Sequence, residues 1–244
     1  MTGQLRSELL KQRSTQTTLF LFAAMFGLVA LAIALHVLVP AATSLSTRSQ
    51  QLEVFGVGTR VGMLFAALVG AMTITAEIRY GTIRPTFLVT PRRGPVIAAK
   101  LAVSGLAGIV FGLLAEGLGT AATTVAFSAR GIENQLRGAD YLQLLVGGTA
   151  VAALWATIGL GVGALVRNQV GTVVGLSAWM LLVENLIAVD AGASRFTPGA
   201  AAFGLAGMPA DNLLGPAAAA LLLVLYAAAT SAAGWIATLR RDVA

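Results

Sequence analysis

Residues 77–100, EIRYGTIRPTFLVTPRRGPVIAAK, form the longest run in this chain that cannot sit in a lipid bilayer. They hold five cations, Arg79, Arg84, Arg92, Arg93 and Lys100, against one carboxylate, Glu77. Long apolar segments stand on both sides. Lys and Arg resist translocation and orient the helices they flank, so a basic loop between two membrane spans is expected to face the cytoplasm. There it would be open to a cytoplasmic partner.

Working outward, composition sets the class. The chain is 57% hydrophobic and 11% charged, with a mean hydropathy of +0.84, whereas a soluble domain carries roughly 25% charged residues. An all-α integral membrane protein is expected. At about 20 apolar residues per crossing, 244 residues leave room for about six helices and short loops, so one transmembrane domain, residues 1–244, accounts for the whole length. The net charge of +6 would suggest nucleic acid in a soluble protein. Here most cations gather at predicted helix ends, so they read as topology signals and no nucleic-acid partner is expected. Without cysteine, disulfides and thiolate metal sites are excluded. His36 is the single histidine, which argues against a metal site and excludes an HExxH protease. The Ala, Gly and Arg bias suggests a bacterial source.

Upstream, residues 1–17 place Leu5, Leu9 and Leu10 near one helical face, with Arg6, Lys11 and Arg13 free to reach water or lipid phosphates. This predicts an interfacial helix. The first span is expected over Thr18 to Val39, followed by a polar loop from Ala41 to Gly56, and the second over Val57 to Ala76. Within the basic loop, Thr82 is placed to cap a short helix from Ile83, and Pro91 to end it. Downstream, spans are expected over Leu101 to Phe127, Leu142 to Val166, Val170 to Val189 and Pro216 to Leu239. Residues 199–208 are apolar but too short to cross, and predict a re-entrant element. With both termini inside, eleven of the sixteen cations fall on the cytoplasmic side and five on the other, which supports this topology.

Glycine pairs four apart, Gly58 and Gly62, Gly108 and Gly112, Gly159 and Gly163, Gly171 and Gly175, suit close helix packing within one bundle or between two copies. Two carboxylates, Glu116 and Glu184, fall inside apolar spans. An ionisable group there is costly and by default a functional candidate. With Asn185 beside Glu184, these residues are candidates for a substrate path or a proton relay.

Glu77, Gly81, Thr82, Leu88, Pro91, Arg92, Arg93 and Lys100, in the pattern E-x3-G-T-x5-L-x2-P-R-R-x6-K, resemble the cytoplasmic loop of bacterial ATP-binding-cassette (ABC) transporter permeases of the type-2 exporter class. The basic N-terminal helix and the six-span plan agree. The resemblance implies that Ile83 to Val89, carrying Arg84, is a coupling helix docked on a separate ATP-binding subunit, held by Glu77 and the Arg92/Arg93 pair. It also implies that residues 1–17 are a connecting helix, and that two permeases, identical or sister chains, pair around the path. No G-x4-G-K-[ST] phosphate loop occurs in the sequence, so ATP and Mg are expected on the partner rather than on this chain, which is not read as an enzyme. The expected cargo is a drug, a lipid or another amphipathic molecule. The rival reading is a proton-coupled secondary transporter using Glu116 and Glu184.

Overall fold

The computed structural model describes residues 2–14, 16–39, 45–83, 85, 88, 93–187 and 190–240, with 2–4, 12–14, 93 and 191 as backbone only. Among these the chain is helical and forms no strand. Six helices are long and apolar enough to cross a membrane: Gln16–Leu38, Arg48–Arg79, Gly94–Ala129, Gly138–Val166, Gln169–Ile187 and Pro216–Arg240, called spans 1 to 6. The six-span, all-α membrane protein expected from the apolar runs is the architecture observed. We call the end of the bundle that carries the 77–100 connection the loop end, and the opposite one the far end.

Span 4 lies at the centre because its small residues let neighbours approach. Apolar helices gain little by leaving lipid for one another, so close van der Waals packing holds them together. A Cβ on Gly159 would collide with the carbonyl oxygen of Ala67 in span 2, and one on Gly163 would lie 3.0 Å from that of Ala71. From span 3, Gly108 and Gly112 meet span 4 at the carbonyl of Ala152 and the Cα of Thr149, 2.6 and 2.8 Å from an added Cβ. Gly58 and Gly62 of span 2 rest on Ala115 of span 3. Three of the four glycine pairs therefore serve packing within the chain. The fourth does not: a Cβ on Gly171 would meet only Asn168 and Val166 around the short turn before it, at ordinary contact distance, and one on Gly175 would meet nothing within 4 Å.

The structure differs from the expectation of a polar loop over 41–56, of which 41–44 lie outside the described residues. Arg48–Phe55 is helical, and Gly56 passes it into Val57–Arg79 with little interruption. Thr47 and Gln50 form a capping box, each side chain accepting the other's backbone N–H. Gln51 is fully buried because its amide is satisfied by backbone. Its Nε2 donates to Leu45 O at 2.9 Å and Glu133 O at 2.8 Å, and its Oε1 accepts from Gln135 N at 2.8 Å. Arg48 grips Asp140, with Nε to Oδ2 at 3.0 Å. Gln51 and Asp140 are buried while Thr47, Arg48 and Gln50 stay exposed, so this polar stretch staples the far end together at the surface.

Between spans 5 and 6, Pro198–Ala206 forms a helix of nine residues. Thr197 caps it, its hydroxyl accepting the N–H of Ala200 at 3.2 Å, and Gly207 at φ +70° ends it. It is too short to cross and packs on Gly147 of span 4 and Ala219 of span 6. Span 5 is α-helical to Ala178, passes through a π-helical turn over Trp179–Val183, and resumes as α-helix at Glu184–Ile187.

Candidate functional site

At the loop end, four charged side chains converge from three helices. Lys100 of span 3, only 1% exposed, spends all three ammonium protons: on Glu8 Oε2 at 2.8 Å, Glu77 Oε1 at 2.8 Å and Thr73 O at 3.2 Å. Lys11 donates to Glu8 Oε1 at 2.9 Å and Glu77 Oε1 at 2.7 Å. Two carboxylates thus face two ammoniums, and the cluster carries no net charge. Burial works against the Lys11 ammonium, but its hydrogen bonds to Glu77 and Glu8 prevail and hold its pKa above the usual lysine value, so it stays charged at physiological pH. Buried ion pairs repay desolvation only with such dense mutual bonding.

This arrangement corrects two expectations. The N-terminal helix, Thr2–Ser14, turns Glu8 and Lys11 toward the bundle, while Leu9 and Leu10 face outward. Glu8 and Lys11 stand one turn apart on one face, and the charges at the bases of spans 2 and 3 draw that face in. Lys100, counted among the cations of the cytoplasmic loop, is buried. Glu77 pairs with these two lysines; Arg92 lies outside the described residues, as do Arg84 and Pro91, and of Arg93 only the backbone is described, where it opens the helix of span 3.

Past Glu77 the chain turns sharply. Gly81 has φ +70°, a left-handed conformation that costs glycine little. The Thr82 hydroxyl donates to Glu77 O at 3.5 Å. Of the stretch expected as a coupling helix, Ile83, Pro85 and Leu88 are helical among the described residues. Ile83 is buried against Ile74, Leu160 and Ala164. Leu88 and Tyr80 are 81% and 71% exposed. The loop is therefore pinned by one apolar residue and presents two others outward.

The membrane carboxylates have separate neighbourhoods. Glu116 is 1% exposed and fills a slot between Gly58 of span 2 and Gly148 of span 4, where a Cβ would collide with it. Thr59 Oγ1 donates to its Oε1 at 2.5 Å, and its Oε2 has no partner among the described residues. Glu184 Oε1 instead accepts the indole N–H of Trp179 and the backbone N–H of Gly199, both at 2.9 Å. Gly199 lies in the first turn of the Pro198–Ala206 helix, so this carboxylate serves that helix's positive end. Asn185 bonds back to Leu181 O in its own helix at 2.8 Å.

Sequence reasoning passed over three residues. Glu8 went unremarked and Lys11 was read as free to reach water or lipid phosphates, although a Glu and a Lys at i and i+3 were visible as a pair. Arg60 was counted only as a far-side cation, although an arginine at the fourth position of an apolar span is itself a signal. It borders a cavity of about 620 Å³ between span 2, span 5 and the 194–213 segment.

A family model described as ABC-2 family transporter protein matches residues 4–183. The chain belongs to the ABC-2 transporter family. The match takes in the N-terminal helix, the charged cluster, the whole loop and Glu116. It stops at the end of the π turn, one residue before Glu184. No curated protein matches the chain. It is thus a multi-pass permease subunit of an ABC transporter, a system whose ATP-binding component is a partner and whose membrane components are generally not ATPases.

Proposed function

We propose that this ABC-2 permease is the membrane half of an ATP-driven exporter in the bacterial cytoplasmic membrane, with both termini cytoplasmic. Two permeases, identical or sister chains, enclose the path. A separate ATP-binding subunit, carrying the ATP and Mg, docks on the 77–100 loop. The cargo is amphipathic, a drug or a lipid.

One observation carries this reading: the loop begins at Glu77, and the cluster of Glu8, Lys11, Glu77 and Lys100 ties the N-terminal helix, span 2 and span 3 into one piece. A push on the loop is then delivered to three helices together, as alternation between inward and outward openings requires. The exposed Leu88 and Tyr80 are the apolar anchors for the partner's surface. Affinity purification of the chain from its native membrane, with ATPase assayed in the eluate, tests the proposal. Wild type brings down an ATP-binding subunit, and Leu88→Asp loses it while the permease stays folded. Absence of any ATP-binding protein with wild type overturns the reading and returns the question to Glu116 and Glu184, with transport that follows the proton gradient.

A further inference from the structure

The cavity beside Arg60 has the chemistry of a binding site. Arg60 is half-buried, and its guanidinium makes one long hydrogen bond, Nη1 to Glu53 O at 3.4 Å. The ring of Phe203 lies against it, its centroid 5.6 Å from Cζ. Among the described residues no carboxylate comes within ion-pair distance of it; the exposed Glu53, seven residues earlier, acts on it only at longer range. An arginine stays charged wherever it is placed, and its planar fork of donors matches phosphate and carboxylate oxygens. At the opposite end of the same span Lys11 and Lys100 are matched by Glu8 and Glu77. Arg60 faces space instead.

The other charged groups on the cavity wall do not answer it. Glu184 already accepts two N–H bonds through Oε1. Arg195 is exposed and stacks on Phe196, 4.7 Å from its ring centroid. Asp211 is exposed at the rim. The rest of the wall includes Met63, Leu64, Met180 and Leu181, an apolar surface of the kind that surrounds a few placed polar groups in ligand sites.

We infer that this cavity binds the anionic head of an amphiphile, a phosphate or carboxylate on Arg60, with its apolar body against the methionines and leucines of spans 2 and 5. That the amphiphile is cargo rests on the exporter reading; that it binds does not. The test uses the purified full-length chain in non-ionic maltoside micelles, without any ATP-binding subunit, and radiolabelled dodecyl phosphate as the probe. Unlabelled dodecanol, dodecyltrimethylammonium and inorganic phosphate are the competitors.

Unlabelled dodecyl phosphate displaces the label, and the other three compete at least about tenfold more weakly, because charge-assisted bonds and the apolar body each contribute on that scale. Arg60→Gln weakens binding about tenfold or more, Arg60→Lys less, and Asp211→Asn leaves it unchanged or tighter. Equal competition by dodecanol, or wild-type affinity in Arg60→Gln, overturns the inference. Equal competition by inorganic phosphate overturns the amphiphile and leaves a plain anion site. If Arg60→Gln fails to fold, Arg60→Lys and the wild-type competition series still decide. Binding seen here with no ATP-binding subunit ever co-purified would retire the exporter reading and keep the site.

Discussion

The two ends of span 2 handle charge in opposite ways. At Glu77, two carboxylates and two ammoniums pair with one another through Glu77 Oε1 and both Glu8 oxygens, and Lys100 is closed off from solvent. At Arg60, one guanidinium stands beside a cavity with a single long backbone bond. A matched buried charge fixes helices in place, because breaking it strands its partner. An unmatched charge beside space has its bonding capacity left over for a ligand. In the proposed readings, mechanics falls to one end and recognition to the other.

Lys100→Met attacks the first end directly. It leaves Glu8 and Glu77 with only Lys11 between them, and a loss of about 3–5 kcal/mol is expected, read as a fall in thermal unfolding temperature in detergent. Adding Glu8→Gln to Lys100→Met should recover part of that loss through the coupling energy of neighbouring sites. If Lys100→Met is as stable as wild type, the cluster does not hold the helices together.

The rod between the ends is tested by glycine. Gly159→Ala drives a methyl into the Ala67 carbonyl and should cost about 1–3 kcal/mol by overpacking. Gly175→Ala on span 5 meets open space and should stay within about 0.5 kcal/mol of wild type. Equal effects would mean that span 4 does not pack as described.

Glu184→Gln keeps the shape but removes the charge beside the Pro198–Ala206 helix. The expected loss is about 0.5–1 kcal/mol, with faster hydrogen exchange at Gly199 and Ala200 as the local readout. The smallest change sharpens the comparison most. Arg60→Gln, like Lys100→Met, removes a cation from a span, yet it strands no carboxylate at ion-pair distance, only the exposed Glu53 farther off, and its effect on stability should lie within about 0.5 kcal/mol of zero. A loss as large as that of Lys100→Met would show that Arg60 is structural.

The spans themselves were legible. Continuous apolar runs marked Gln16–Leu38 and Pro216–Arg240 within two residues at each end, because length and hydropathy are local properties. Arg48–Phe55 was misread as loop because its polarity suggested water, although Thr47 and Gln50 spell the capping box that starts it. Gln51 is buried by bonding to backbone more than eighty residues away, which no local pattern reports. The loop motif pointed to Glu77 and Lys100, but the Glu8–Lys11 pair that answers them stands far off in sequence. Only the packing of the N-terminal helix reveals it. Glu116 was visible as an anomaly; that two glycines on different spans make room for it was not.

The π turn of span 5 behaves like a washer placed under the head of a screw. An α-helix advances about 100° per residue, and a π turn takes in one residue more than an α turn. The thread before Trp179 and after Val183 is ordinary, but the head stops at a different angle. The first residue past the washer is Glu184, whose backbone N–H reaches back to Trp179 O and whose carboxylate ends up at Gly199. One inserted residue therefore chooses the side of span 5 on which its only acid comes to rest, and points it at a neighbouring helix instead of at the lipid.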